Sequence, residues 1–234
     1  MGNNTSITEH KRHYYRELLC IGVPIIIGQL GTIILGFADT LMIGHHSTEE
    51  LAAAGLVNNI ITFILVSYMG FSYGLTPIIG KLYGMEKTDK IGQKVKNSFF
   101  ANMVVGVIFS LALIILYFNL HRIGQPEELL ALIRPYFIVN LISVLFVGVF
   151  NTLKQFLDGI GNTKVAMWVM IMGNIVNIFG NWVLIYGVGP CPEMGLLGAG
   201  ISTLASRVLM AVAMVGIIAG TKEYREQLIT FTAS

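Results

Sequence analysis

Charged side chains are scarce in this sequence. Asp, Glu, Lys and Arg make up 12% of its 234 residues, against 54% that are hydrophobic. A soluble domain carries about 25% charged residues, so this shortage, with a mean hydropathy of +0.71, excludes an ordinary soluble fold. Cysteine is nearly absent as well. Cys20 opens the first apolar run and Cys191 sits in a connection placed at the other face of the membrane, which rules out a bridge between them. A Gly-rich phosphate loop, a nucleophile elbow and a zinc-binding helix motif are all missing, so no enzyme chemistry has a foothold. The adjacent pair His45 and His46 makes no metal site by itself. No basic patch interleaved with aromatics points to nucleic acid.

What the chain does have is long apolar runs. Six stand out, at about 18–44, 52–80, 97–120, 133–153, 165–187 and 196–220, each near or above the roughly 20 residues needed to cross a bilayer. Runs of this length, rather than alternating ten-residue segments, predict helices, because a helix satisfies its own backbone hydrogen bonds in lipid. The expected fold is therefore an all-α integral membrane protein with six transmembrane helices over 17–221. A short tail at 1–16 precedes it and a second tail or linker follows at 222–234. Lys11, Arg12 and Arg16, then Lys81, Lys87, Lys90, Lys94 and Lys96, then Lys154 and Lys164, then Lys222 and Arg225 all fall on one set of connections; the opposite set holds Arg122 alone. The positive-inside rule accordingly places both termini in the cytoplasm. The basic start before the first run imitates a secretory signal, but the run is too long for an h-region and predicts an uncleaved helix. Myristoylation and glycosylation patterns at Met1-Gly2 and Asn3-Asn4-Thr5 are short, and the first gains a multi-spanning protein little.

Asp39 is the informative residue. It lies five residues inside Gly44, or about 7 Å of helix, and a carboxylate at such depth marks an ion or proton pathway unless it reaches the headgroups. In the fifth run Asn174, Asn177 and Asn181 recur at i, i+3 and i+7, so their amides share one helix face that cannot face lipid cheaply. Asn181 lies about 9 Å and Thr203 about 12 Å from the same membrane face as Asp39. A carboxylate, two amides and a hydroxyl in one layer suit a proton or a small hard cation. Arg207 divides the last run near its middle, either reaching polar groups between helices or lining a cavity as a counter-ion. Pro24 and Pro77 remove backbone hydrogen bonds from the first two helices.

The landmarks Val23-Pro24, Asp39-Thr40-Leu41-Met42-Ile43-Gly44, Phe71 to Gly80, Phe156 to Lys164, Asn177 to Gly187 and Gly198 to Thr203 occur in an order along nearly the whole chain that resembles the multidrug and toxic compound extrusion (MATE) transporters. That resemblance implies twelve helices in two six-helix lobes, of which this chain is similar to the amino-terminal one. It implies export of a cationic or amphipathic small molecule across the inner (plasma) membrane in exchange for Na+ or H+. It also implies a cation site at Asp39, Asn177, Asn181 and Thr203, bending of the first helix at Pro24, cavity positions at Asn174 and Arg207, and a second lobe as partner, covalent or separate. No organic cofactor is implied, and the only metal would be Na+ at those four residues. Some members carry aspartate where Asn181 stands, which leaves sodium and proton both open. The alternatives are a relative that flips lipid-linked sugars, opposed by the few basic residues within the runs, and a non-transporting membrane subunit that pairs with another half.

Overall fold

A computed structural model describes residues 2–229, with side chains from Tyr15 onward except at positions 17, 123 and 229. The motifs at Met1 to Thr5, the side chains of Lys11 and Arg12 and the end of the chain at 230–234 lie outside the described residues. Eight α-helices follow one another: α1 Gly2–His46, α2 Thr48–Tyr73, α3 Leu75–Gly84, α4 Ile91–Phe118, α5 Glu127–Gly159, α6 Thr163–Tyr186, α7 Gly195–Gly220 and α8 Lys222–Ile229. Six stretches are long and apolar enough to span, namely Leu18–His46, Thr48–Gly84, Thr88–Phe118, Glu127–Gly159, Thr163–Tyr186 and Gly195–Gly220. The start of α1 and α8 lie at one end of the bundle, called here the terminal end.

The bounds of these helices have local causes. Ser47 interrupts α1 and α2 in extended conformation and accepts from the Glu50 amide at 3.4 Å, with Glu49 and Glu50 in the first turn where acids suit the helix dipole. The second expected span is two helices, not one: α2 stops at Tyr73 and α3 starts at Leu75. Pro77 has no N–H to give the Tyr73 carbonyl, so the ladder fails at that point. Pro24 has the same chemistry, yet α1 passes through it without interruption. The separate tail expected at 1–16 is continuous with α1, and α8 follows Thr221 with Tyr224 buried against the bundle. Burial pushes the Tyr224 phenol above its ordinary value, so at neutral pH it remains a hydroxyl that accepts from the Asn162 amide.

α5 is the axis of the packing. It touches α2, α3, α4 and α7, and 39% of its most apolar stretch is buried, against 11% for α1. Small residues let the helices approach. A Cβ on Gly198 would lie 2.6 Å from the Leu184 carbonyl oxygen, so α6 and α7 meet backbone to backbone. The Tyr68 ring fills the space left by Gly106 and Gly148 and donates its hydroxyl to the Asn102 carbonyl at 2.8 Å. The exposed flanks of α1 and α4 carry Ile26, Ile33, Phe37, Phe100, Ile115 and Phe118, as helices facing hydrocarbon must.

One placement changes the charge distribution. Lys154 was expected in a connection, but α5 continues past it to Gly159, and the residue is only 6% exposed. Lys154 is therefore a buried cation within the fourth span, in addition to Arg207 in the last.

Candidate functional site

Three helices bring the predicted layer together. α1 supplies Asp39, α6 supplies Asn177 and Asn181 from one face, and α7 supplies Thr203. Asn181 is fully buried and its Nδ2 donates to Asp39 Oδ1 at 2.6 Å. The same Nδ2 lies 3.2 Å from Asn177. Thr203 Oγ1 and Ser206 Oγ lie 3.2 Å and 3.3 Å from the Asn177 amide, and Ser202 Oγ donates to the Asn177 carbonyl at 2.8 Å. The four predicted residues thus form one connected set.

The Asn177 amide has two orientations of the same outline. With its nitrogen toward Asp39 it donates to Oδ1 at 3.1 Å, while its oxygen accepts from Thr203 Oγ1 at 3.2 Å. Turned round, an amide oxygen faces a carboxylate oxygen across that gap. Such a pair repels unless a proton or a cation lies between the two oxygens. Asn181 Oδ1 is buried with no partner among the described residues, so it adds a further free oxygen beside the carboxylate.

The other predicted residues border this set. Asn174, one turn from Asn177, and Arg207, one turn from Thr203, both line a cavity of about 170 Å³ between α1, α2, α5, α6 and α7. Arg207 also donates to Ser143 Oγ at 2.5 Å. Pro24 is buried on α1 about four turns from Asp39. Cys20 and Cys191 are both free.

Two features escaped the sequence reading. Lys154 donates to Asp158 Oδ2 at 2.5 Å, a buried ion pair near the terminal end, beside Thr76, which donates to Gln155 Oε1 at 2.5 Å. Its i, i+4 spacing was the available signal, hidden by a span boundary set one residue before Lys154. His46, given no role from sequence, bridges Glu50 and Glu193 at 2.8 Å each, tying the α1–α2 junction to the connection before α7. A groove of about 690 Å³ between α2 and α4 contains none of these residues.

An acid held inside a helical bundle by amides of a neighbouring helix is the kind of intramembrane group that marks an ion or proton pathway. Residues 24–183 match the MatE family, and the chain belongs to it. It is 32% identical over 210 residues to the "probable multidrug resistance protein NorM" of Photorhabdus laumondii, a match that covers 90% of this chain and 46% of that protein. It is 28% identical to the multidrug resistance protein NorM of Photobacterium profundum, covering 87% and 44%. Among solved structures it superposes on an outward-facing multidrug resistance MATE family transporter with a TM-score of 0.79 at 20% identity, covering 91% of this chain and 50% of the other. The chain spans about half the length of the relatives it matches. It is a multi-pass protein of the inner (plasma) membrane.

Proposed function

We propose that this lobe is the amino-terminal half of an exporter that moves small, amphipathic molecules outward in exchange for Na+ or H+, with both termini in the cytoplasm and a second six-helix lobe completing the path. The observation that carries the reading is the contact of Asp39 with Asn181 and Asn177, which Thr203 completes. The NorM relatives are named for multidrug resistance, and alternating access needs two halves that rock about a shared site.

In this reading the amides change roles with occupancy. In the empty site the Asn181 and Asn177 nitrogens donate to ionised Asp39. When a proton or a sodium ion arrives, the Asn177 oxygen turns toward the carboxylate, and Thr203 Oγ1 and the unpartnered Asn181 oxygen supply further ligands. The donor set is all hard oxygen, which suits Na+, and it equally receives the hydroxyl of a protonated carboxyl. Occupancy drives transport only if it favours one shape of α1 over another, since equal affinity for both shifts nothing. Pro24 supplies the weak point about which α1 bends.

Efflux driven by an imposed sodium or proton gradient tests the assignment. Asp39→Asn should abolish the gradient dependence, and gradient-driven efflux equal to that of the unchanged protein would remove Asp39 from the mechanism.

A further inference from the structure

The cavity beside the cation site is lined by hydrogen-bond donors of one charge. Arg207 reaches it from α7, Lys154 from α5 and Asn174 from α6, with the amides of Gln29 and Asn151 completing its polar wall. No carboxylate lines it. Asp39 lies outside the lining, and Asp158 sits on the far side of Lys154, in an adjoining cavity of about 380 Å³ that shares Gln29 and Lys154. Asn174 is 8% exposed, and its Nδ2 is buried with no partner among the described residues. The remaining wall is apolar and pliable, with Met69, Met170, Met210 and Phe150.

We propose that this cavity binds an anionic group, the carboxylate or sulfonate of a small amphiphile, held by Arg207, Lys154 and the Asn174 amide. A guanidinium offers five N–H donors in a plane, and among the described residues Ser143 is the hydrogen-bond partner found for it, with Asp39 and Tyr136 near enough to act through charge; a carboxylate takes two of the other donors side by side. The ammonium of Lys154 has two N–H groups beyond the one given to Asp158. An unpaired amide N–H in a low-dielectric wall is costly, and an acceptor at that position removes the cost. Size agrees with a head group. About 170 Å³ holds a carboxylate on one ring, being the volume of roughly five or six waters at about 30 Å³ each. A longer apolar body extends past Gln29 into the adjoining cavity toward the terminal end. Methionines of the first cavity, Met69, Met170 and Met210, accommodate variable bodies beside the head group, so charge selects the ligand while shape stays permissive. The proposal rests on the export reading for its role in transport; binding itself does not depend on ion coupling.

Three probes of nearly equal size separate the possibilities: 4-fluorobenzoate, 4-fluorobenzamide and 4-fluorobenzylammonium, each followed by fluorine-19 line broadening with the purified chain in neutral detergent micelles. The benzoate should bind about tenfold or more tightly than the benzamide, as expected for charged hydrogen bonds, and the benzylammonium should bind least. Arg207→Gln should erase the preference for benzoate, whereas Arg207→Lys, which keeps the charge, should retain most of it. Asp39→Asn, which removes the carboxylate charge that Arg207 also feels, should leave benzoate binding at least as tight, so a failure of ion coupling and a failure of anion binding are read separately. Preferential binding of the benzylammonium, an unchanged benzoate preference in folded Arg207→Gln, or no benzoate broadening with the unchanged chain would each overturn the proposal.

Discussion

Two acids lie inside this bundle, and they are treated in opposite ways. Asp158 near the terminal end is paired within its own helix to Lys154, one turn away, and both are more than 90% buried. Asp39 toward the other end is met by amides from α6, and no Lys or Arg side chain lies within ion-pair distance of it among the described residues. A carboxylate with a lysine at 2.5 Å already has its counter-charge, and displacing it would leave a bare cation in low dielectric. A carboxylate held by neutral donors has a vacancy for an exchangeable positive charge. The first acid is placed to hold structure; the second is the one to which the proposed function assigns ion exchange.

Substitutions can break or sharpen this contrast, and the largest effect belongs to the pair. Lys154→Ala leaves Asp158 uncompensated and should lower stability by about 3–5 kcal/mol, measured by dodecyl sulfate titration in mixed micelles; a loss below about 1 kcal/mol would show that the pair is solvated. Lys154→Met combined with Asp158→Leu should recover most of that loss, ending within roughly 1–2 kcal/mol of the unchanged protein, because the desolvation penalty disappears with the charges. Thr203→Val keeps the shape but removes one hydroxyl partner of Asn177, and should cost about 0.5–1.5 kcal/mol in the same titration. Asp39→Asn should be the mildest for stability, under about 1 kcal/mol, since an amide oxygen still accepts from Asn181. Yet it should remove any stabilisation by sodium over an equal concentration of choline, which Thr203→Val, by deleting one proposed ligand, should only weaken. A sodium response that survives Asp39→Asn would place the ion elsewhere and erase the contrast.

The amide-bound acid was legible in the sequence and the lysine-paired one was not, for physical reasons. Asp39 stands inside a long uncharged run, and the amides at i, i+3 and i+7 of α6 announce a polar face whatever the neighbours are. Only depth could be inferred along the chain; that α1, α6 and α7 are adjacent needed the fold. Lys154 and Asp158 fall just where hydrophobicity fades, and a run's apolar edge is a poor guide to a helix end when α5 continues into Gln155 and Asp158 under cover of α3. The break at Gly74 was hidden for a related cause: Pro77 was visible, but Pro24 shows that a proline alone does not decide whether a membrane helix stops. His46 depended on Glu193, 147 residues away, and no local pattern connects them.

The thin packing of α1 has a mechanical consequence. Held chiefly by α6, with lighter contact to α2 and α7, it can swing as a lever while the frame built on α5 stays put. Because the lever carries Asp39 and the frame carries Asn181 and Thr203, any tilt separates the carboxylate from its amide partners, so under the proposed function the grip on an ion and the angle of α1 would be a single coordinate.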